Sequence, residues 1–124
     1  MHRCGMRVKD EVGRFGEGIA AAHLAEAGLV VLERNWRCPD GELDIVARDG
    51  STIVFVEVKT RTSAQFGDPS EAVTYRKAAR IHRLAARWLV EHAEVRAEEL
   101  RFDIVAIVRQ GPDGMSVSHL KGAF

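Results

Sequence analysis

The chain has 124 residues, 46% of them hydrophobic, with 18 Lys+Arg against 18 Asp+Glu for a formal net charge of zero. That size and composition fit one domain with one core, and the charge balance excludes a protein that coats nucleic acid through bulk charge. Two cysteines, Cys4 and Cys38, are too few for a zinc site or a disulfide framework and suit a reducing cytoplasm; no apolar run reaches the ~20 residues of a membrane span, and MHRCGMRVKD lacks the apolar segment of a signal peptide.

Residues 1–10 read as a flexible N-terminal tail and residues 11–124 as a single domain. EVGRFGEGIAAAHLAEAGL predicts a helix from about Glu11 to Ala27, stopped at Gly28. Gly13, Gly16 and Gly18 weaken its first turns. Glu17 heads an apolar stripe formed with Ala20, Ala21 and Leu24, so its carboxylate is expected to face the sheet and could serve a metal or its water. A glutamate favoured in an early turn by the helix dipole accounts for it equally well.

LVVLERNWR predicts a strand, and ELDIVAR and TIVFVEVKT two more, joined at the hairpin signal Asp49-Gly50. TSAQFGDPS reads as a loop. A second helix runs to about His92, and two starts are open: Asp68 as cap with Pro69 and Glu71 following, or Thr74. AEVRAEEL is a polar connection, RFDIVAIV a strand, GPDG a turn and MSVSHLKGAF a last strand. The order α-β-β-β-α-β-β is that of an α/β fold, a mixed sheet flanked by helices.

Charges inside the apolar run IVFVEVKT need a reason, because charged residues are rarely buried without partners. If Asp49-Gly50 is a two-residue loop, Arg48 pairs with Ser51, Asp44 lies opposite Phe55, and Glu42 lies opposite Glu57. Glu42, Asp44, Phe55, Glu57 and Lys59 then share one face of the hairpin. Ile45, Val54, Val56 and Val58 share the other, which is wholly apolar and is expected to be the core face. A four-residue loop preserves this parity; a three-residue loop moves Asp44 to the opposite face. On the first register Asp44 and Glu57 are diagonal neighbours within reach of one ion. Their repulsion would be relieved by a cation, and oxygen ligands of this kind favour Mg²⁺ or Mn²⁺. Lys59, one pleat on, could contact a phosphate oxygen or orient a metal-bound water, completing the parts for phosphodiester hydrolysis. The plainer alternative is a solvated face carrying a Glu-Lys pair.

In the second helix Arg76, Arg80, Arg83 and Arg87 fall on one face, flanked by Lys77 and His82, beside an apolar stripe of Ile81, Leu84, Ala85, Trp88 and Leu89. No acid interrupts residues 75–90. An ordinary solvated face would mix signs, whereas phosphate-backbone binding explains an unmixed stripe. Arg61 is a further candidate phosphate contact. Asp103 reads as structural, paired with an arginine; Trp36 and Trp88 read as core; the histidines show no metal-ligand spacing.

LDIVARDGSTIVFVEVKTR resembles the signature of the PD-(D/E)xK nucleases, an acid, a hairpin, then Glu-x-Lys, met by Asp44, Glu57 and Lys59. More narrowly the chain resembles the YraN-type bacterial family. Gly13 to Glu17, Asn35 and Arg37, Gly41 to Asp44, Phe55 to Arg61, Arg101 to Asp103, and Ala123-Phe124 match that family's motifs across nearly the whole chain. Leu43 stands where the wider superfamily often has proline. The resemblance implies a restriction-endonuclease-like fold and kinship with Holliday-junction resolvases. It implies a Mg²⁺- or Mn²⁺-dependent DNA endonuclease acting on branched or single-stranded DNA. Asp44 and Glu57 would hold the ion with the Val58 carbonyl, Glu17 and Lys59 would complete the catalytic set, and the arginine stripe would bind the backbone. A homodimer would suit a symmetric junction. Two alternatives stand beside this: a module that binds nucleic acid without cutting, and a subunit that docks an acidic protein partner.

Overall fold

The computed structural model describes residues 8–62, 73–112 and 114–124. The elements follow the expected order: α1 (Val8–Glu26), β1 (Val30–Cys38), β2 (Gly41–Asp49), β3 (Thr52–Thr62), α2 (Tyr75–Glu91), β4 (Glu99–Arg109) and β5 (Met115–Leu120). α1 begins at Val8, inside the segment expected as a tail, and residues 1–7 lie outside the described residues. Its end is the expected one: Gly28 N donates to Ala25 O and Leu29 N to Leu24 O, so the last carbonyls find donors as the chain leaves the helix. α2 takes the later of its two possible starts. Thr74 is the cap, its hydroxyl accepting from Lys77 N at 3.1 Å; Asp68 and Pro69 lie outside the described residues.

The strands form one sheet in the order β1-β2-β3-β4-β5. β3 and β4 pair in parallel and the other neighbours antiparallel, so the sheet is mixed, as expected. A parallel pair needs a crossover, and the segment carrying α2 supplies it.

The hairpin turns one residue later than expected. Asp49 pairs with Thr52, leaving Gly50 and Ser51 as the loop, and Gly50 takes a left-handed φ of 64°. A glycine at the first loop position meets the backbone demand of such a turn, so it starts there rather than at Asp49. Val46, not Asp44, is therefore the partner of Phe55, and Asp44 moves level with Glu57. The parity survives, because the register shifts by two.

Both faces of the hairpin are core, whereas only the face of Ile45, Val54, Val56 and Val58 was expected to be. Ile45, Ala47, Val54 and Val56 pack with Ala20 and Leu24 of α1. Val46, Ile53 and Phe55 pack with Ile81, Leu84, Ala85 and Trp88 of α2. β3 is the central strand with a helix on either side, so its run is apolar on both faces until Glu57. Phe55 anchors the α2 side, with its ring centroid 6.0 Å from Trp88 and 5.4 Å from Phe102. Burying side chains of this size contributes roughly 1.5–3 kcal/mol each. Trp36 and Trp88 are both buried in this layer, as expected. No helix among the described residues is long and apolar enough to cross a membrane.

Asp103 is structural, as expected, and fully buried. Arg101 grips it through Nε at 2.9 Å and Nη2 at 3.0 Å and reaches on to Asp49 at 3.0 Å. His119 Nε2 lies 2.7 Å from its Oδ2, and Gly122 N donates to its Oδ1 at 2.9 Å. Burial alone would raise its pKa, but Arg101, the Gly122 amide and His119 outweigh burial and hold it below the usual carboxylate range. A depressed pKa means the ionised form stabilises the fold above the unfolded value, and that stability is lost as pH falls through the folded one. Asp103→Asn should therefore cost about 3 kcal/mol at neutral pH, since it leaves Arg101 facing no carboxylate there. The difference from wild type should shrink below about pH 4 in denaturant melts.

Candidate functional site

The sheet forks at the end of β2 and β3 remote from their hairpin. Their mutual ladder stops at Ile45–Val56. Beyond it β2 stays paired with β1 down to Gly41, and β3 with β4 out to Thr62. Asp44 is the first residue of β2 past the last rung. Its Oδ2 accepts from Val58 N at 2.9 Å, so a carboxylate takes the place of the next ladder bond. The structure thus ties Asp44 to the amide of Val58, the residue whose carbonyl was expected as a ligand.

α1 brings Glu17 to the same fork. A Cβ at Gly16 would fall 2.6 Å from Thr60 Oγ1, so only a residue without a side chain lets the helix lie this close to the end of β3. Glu17 is only 7% exposed, and its Oε1 has no hydrogen-bond partner among the described residues. Burial raises its pKa, a hydrogen bond from Asn35 works against that, and Glu42 adds to it. Asn35 takes a left-handed φ of 56° within β1, a conformation that asparagine tolerates better than most residues.

The Asp44 carboxyl is pushed up to about 8, first by burial and then by the charge of Glu57. The Val58 amide pulls the other way, and Glu17 and Glu42 add repulsion. Glu57 is treated differently. Lys77 of α2 places Nζ 2.5 Å from its Oε2, and Lys59 lies 3.6 Å from the same oxygen. Burial and the neighbouring Lys77 lower the pKa of Lys59. Burial also presses on Lys77, but its contact with Glu57 more than offsets this and its pKa rises.

Asp44, Glu57, Lys59 and Glu17 are therefore gathered at one place. Lys77, expected beside the arginine stripe, directs its ammonium to Glu57 and is the residue that sequence reasoning assigned elsewhere. Asn35 was visible as a motif position, but its place beside Glu17 was not. Arg76, Arg80 and Arg83 are exposed along α2, and Arg61 is half-buried at the end of β3. Arg87 is not part of an unmixed stripe: it pairs with Glu91 at 2.9 Å and Asp40 at 3.4 Å, both at the surface, where such pairs are weak.

The donor set suits a hard cation. Two carboxylates past the last rung, with water and substrate oxygens to complete the shell, is the pattern of Mg²⁺ sites. The partnerless Glu17 Oε1 and the raised Asp44 both mark a place short of positive charge. Among the described residues no group of three or more His, Cys, Asp or Glu is gathered as a ready-made cage.

The raised pKa of Asp44 means that its neutral form suits the metal-free fold. Its contribution is fully present below the unfolded pKa and is lost as pH rises through about 8. Asp44→Asn keeps an acceptor for Val58 N and removes the charge. It should stabilise the metal-free protein at pH 9 by on the order of 1–2 kcal/mol, and by less at pH 6, in thermal melts with chelator present.

The family description "Uncharacterised protein family UPF0102" matches residues 16–107, which include every residue of the fork. A UPF0102 protein of Beutenbergia cavernae is 59% identical over 117 residues, covering 94% of this chain and 98% of that protein. UPF0102 proteins of Frankia alni and Frankia casuarinae are 56% and 53% identical over 119 residues, each covering 96% of this chain and at least 98% of the relative. With a family match over most of its length and relatives matched nearly end to end, the chain belongs to the UPF0102 family, the YraN-like group that its motifs resemble.

Proposed function

We propose that this protein is a Mg²⁺- or Mn²⁺-dependent DNA endonuclease of the PD-(D/E)xK kind, acting on branched or single-stranded DNA. The observation that carries the reading is the meeting of Asp44, Glu57 and Lys59 at the fork, with a buried Glu17 behind them whose Oε1 has no partner among the described residues.

Asp44 and Glu57 would hold the ion. When bound it would polarise a phosphate oxygen and make its water acidic enough to attack near neutral pH. Asp44 must give up its proton to ligate, and the Val58 amide favours that charged form. Glu17, through its Oε1, would accept from a water of that shell and so help to orient it. Lys59 carries a lowered pKa beside Glu57, where its ammonium would neutralise charge developing on the phosphate. Arg76, Arg80 and Arg83 line the outer face of α2 and would grip the backbone without reading bases.

A second reading is a nucleic-acid-binding protein that does not cut. What favours it is that Glu57 already has two ammonium partners. Labelled duplex, single strand, flap and four-way junction incubated with Mg²⁺ or Mn²⁺ separate the two. The nuclease reading expects cleavage of the branched or single-stranded forms, with Lys59→Ala reducing the rate by roughly 10²-fold or more while binding is kept. Salt-sensitive binding with no cleavage would support the second reading. An absence of both would leave the arginine face as a dock for an acidic protein.

Arg80→Ala and Arg83→Ala should weaken binding to every DNA tested by similar factors. Each should reduce the slope of log K against log salt by about 1, measured by fluorescence anisotropy.

A further inference from the structure

Lys77 covers Oε2 of Glu57, one of the two oxygens that Glu57 could offer a bound ion. It is nearer to Oε2 than Lys59, the lysine of the Glu-x-Lys pattern, at 2.5 Å against 3.6 Å. Both partners are largely enclosed, Lys77 with 26% of its side chain exposed and Glu57 with 12%. Its position on α2 is also unusual. A cation in the first turn of a helix opposes the helix dipole, and α2 has no acid in its first turn to offset it. The Thr74 cap fixes the backbone of Lys77 by accepting from its N–H. The helix dipole therefore does not explain a cation here, whereas the carboxylate across the gap does.

A divalent ion arriving at Glu57 would compete with the ammonium already on Oε2, because their charges repel in a part-buried site. We propose that Lys77 is an exchangeable counter-ion. It neutralises Glu57 in the metal-free protein, leaves when a divalent ion binds to Asp44 and Glu57, and so acts as a positioning residue through Glu57. This rests on the metal-dependent reading above. Its consequence is a site whose second carboxylate is held in place before metal arrives.

The test is lysine reactivity in the full chain. Wild type, freed of metal by chelation, is given brief reductive methylation at increasing Mn²⁺, and modification at each lysine is read by mass spectrometry. Mn²⁺ binding is followed in parallel by electron paramagnetic resonance. Lys77 should become several-fold more reactive, with a midpoint matching Mn²⁺ binding, while exposed Lys121 stays constant. Asp44→Asn should abolish both the binding and the rise. Lys77→Met, where it folds, should bind Mn²⁺ several-fold more tightly than wild type, and the wild-type labelling stands without it. Binding of Mn²⁺ with Lys77 still protected would overturn the exchange and leave the metal site intact. No Asp44-dependent binding of Mn²⁺ would overturn both.

Discussion

The structure turns on one interruption: the point where β2 stops pairing with β3. A sheet that parts must leave backbone donors without ladder partners, and an orphaned donor in a low-dielectric setting is costly. Here Asp44 fills the next rung, accepting from Val58 N. That single bond fixes a carboxylate in the gap and sets it level with Glu57. The rest of the fold supplies the stability that lets such a gap exist. Apolar layers on both faces of β3 hold the two strands rigidly up to Ile45–Val56, so they diverge at a defined place.

The two helices bring opposite charges to that gap from opposite faces. α1 delivers an acid, Glu17, and its close approach depends on Gly16 having no side chain. α2 delivers a base, Lys77, from a capped first turn. The resulting electrostatics are lopsided. Glu17 is buried and Asp44 half-buried, and loss of water and crowding by like charge raise the pKa values of both. Glu57 lies against two ammonium groups. A chain with zero net charge thus carries steep local differences within a few residues of one another, which its composition conceals.

Much of this was legible beforehand because it is local. The order of elements follows from period, turn residues and caps. The stop at Gly28, the cap at Thr74, the apolar stripe of α2 and the pairing of Asp103 with Arg101 all stand as the residues suggest. Candidate acids on the hairpin survived a misplaced turn because a shift of two residues preserves the face on which each side chain lies. What failed was non-local. Nothing in the run IVFVEVKT tells whether one face or both will be covered, since that depends on where the crossover helix packs. Lys77 looked like part of a basic stripe, because spacing along a helix does not reveal a carboxylate on a strand beside it. Arg87 looked unopposed until Glu91 and, from far away in sequence, Asp40 came up to it.

The sheet also contains its own control for what a buried carboxylate means. Asp103 and Glu17 are acids taken out of water in one small domain, and Asp44 is half-buried at the fork with Glu17. Asp103 is surrounded by Arg101, His119 and the Gly122 amide, and its charged form is favoured. That is how a carboxylate is buried to hold a structure together. Asp44 accepts from one amide, Glu17 has an oxygen with no partner among the described residues, and both have their charged forms disfavoured. Had stability alone shaped the fork, an arginine like Arg101 or a pair of apolar side chains would relieve it, since buried charge is readily replaced at no loss of stability. Acids left short of cations in the one place where the sheet opens are better explained by something that arrives there carrying positive charge. Hard oxygen donors of this kind are the ones the proposed divalent cation takes, and the lysines beside them suit the anionic substrate of the same proposal.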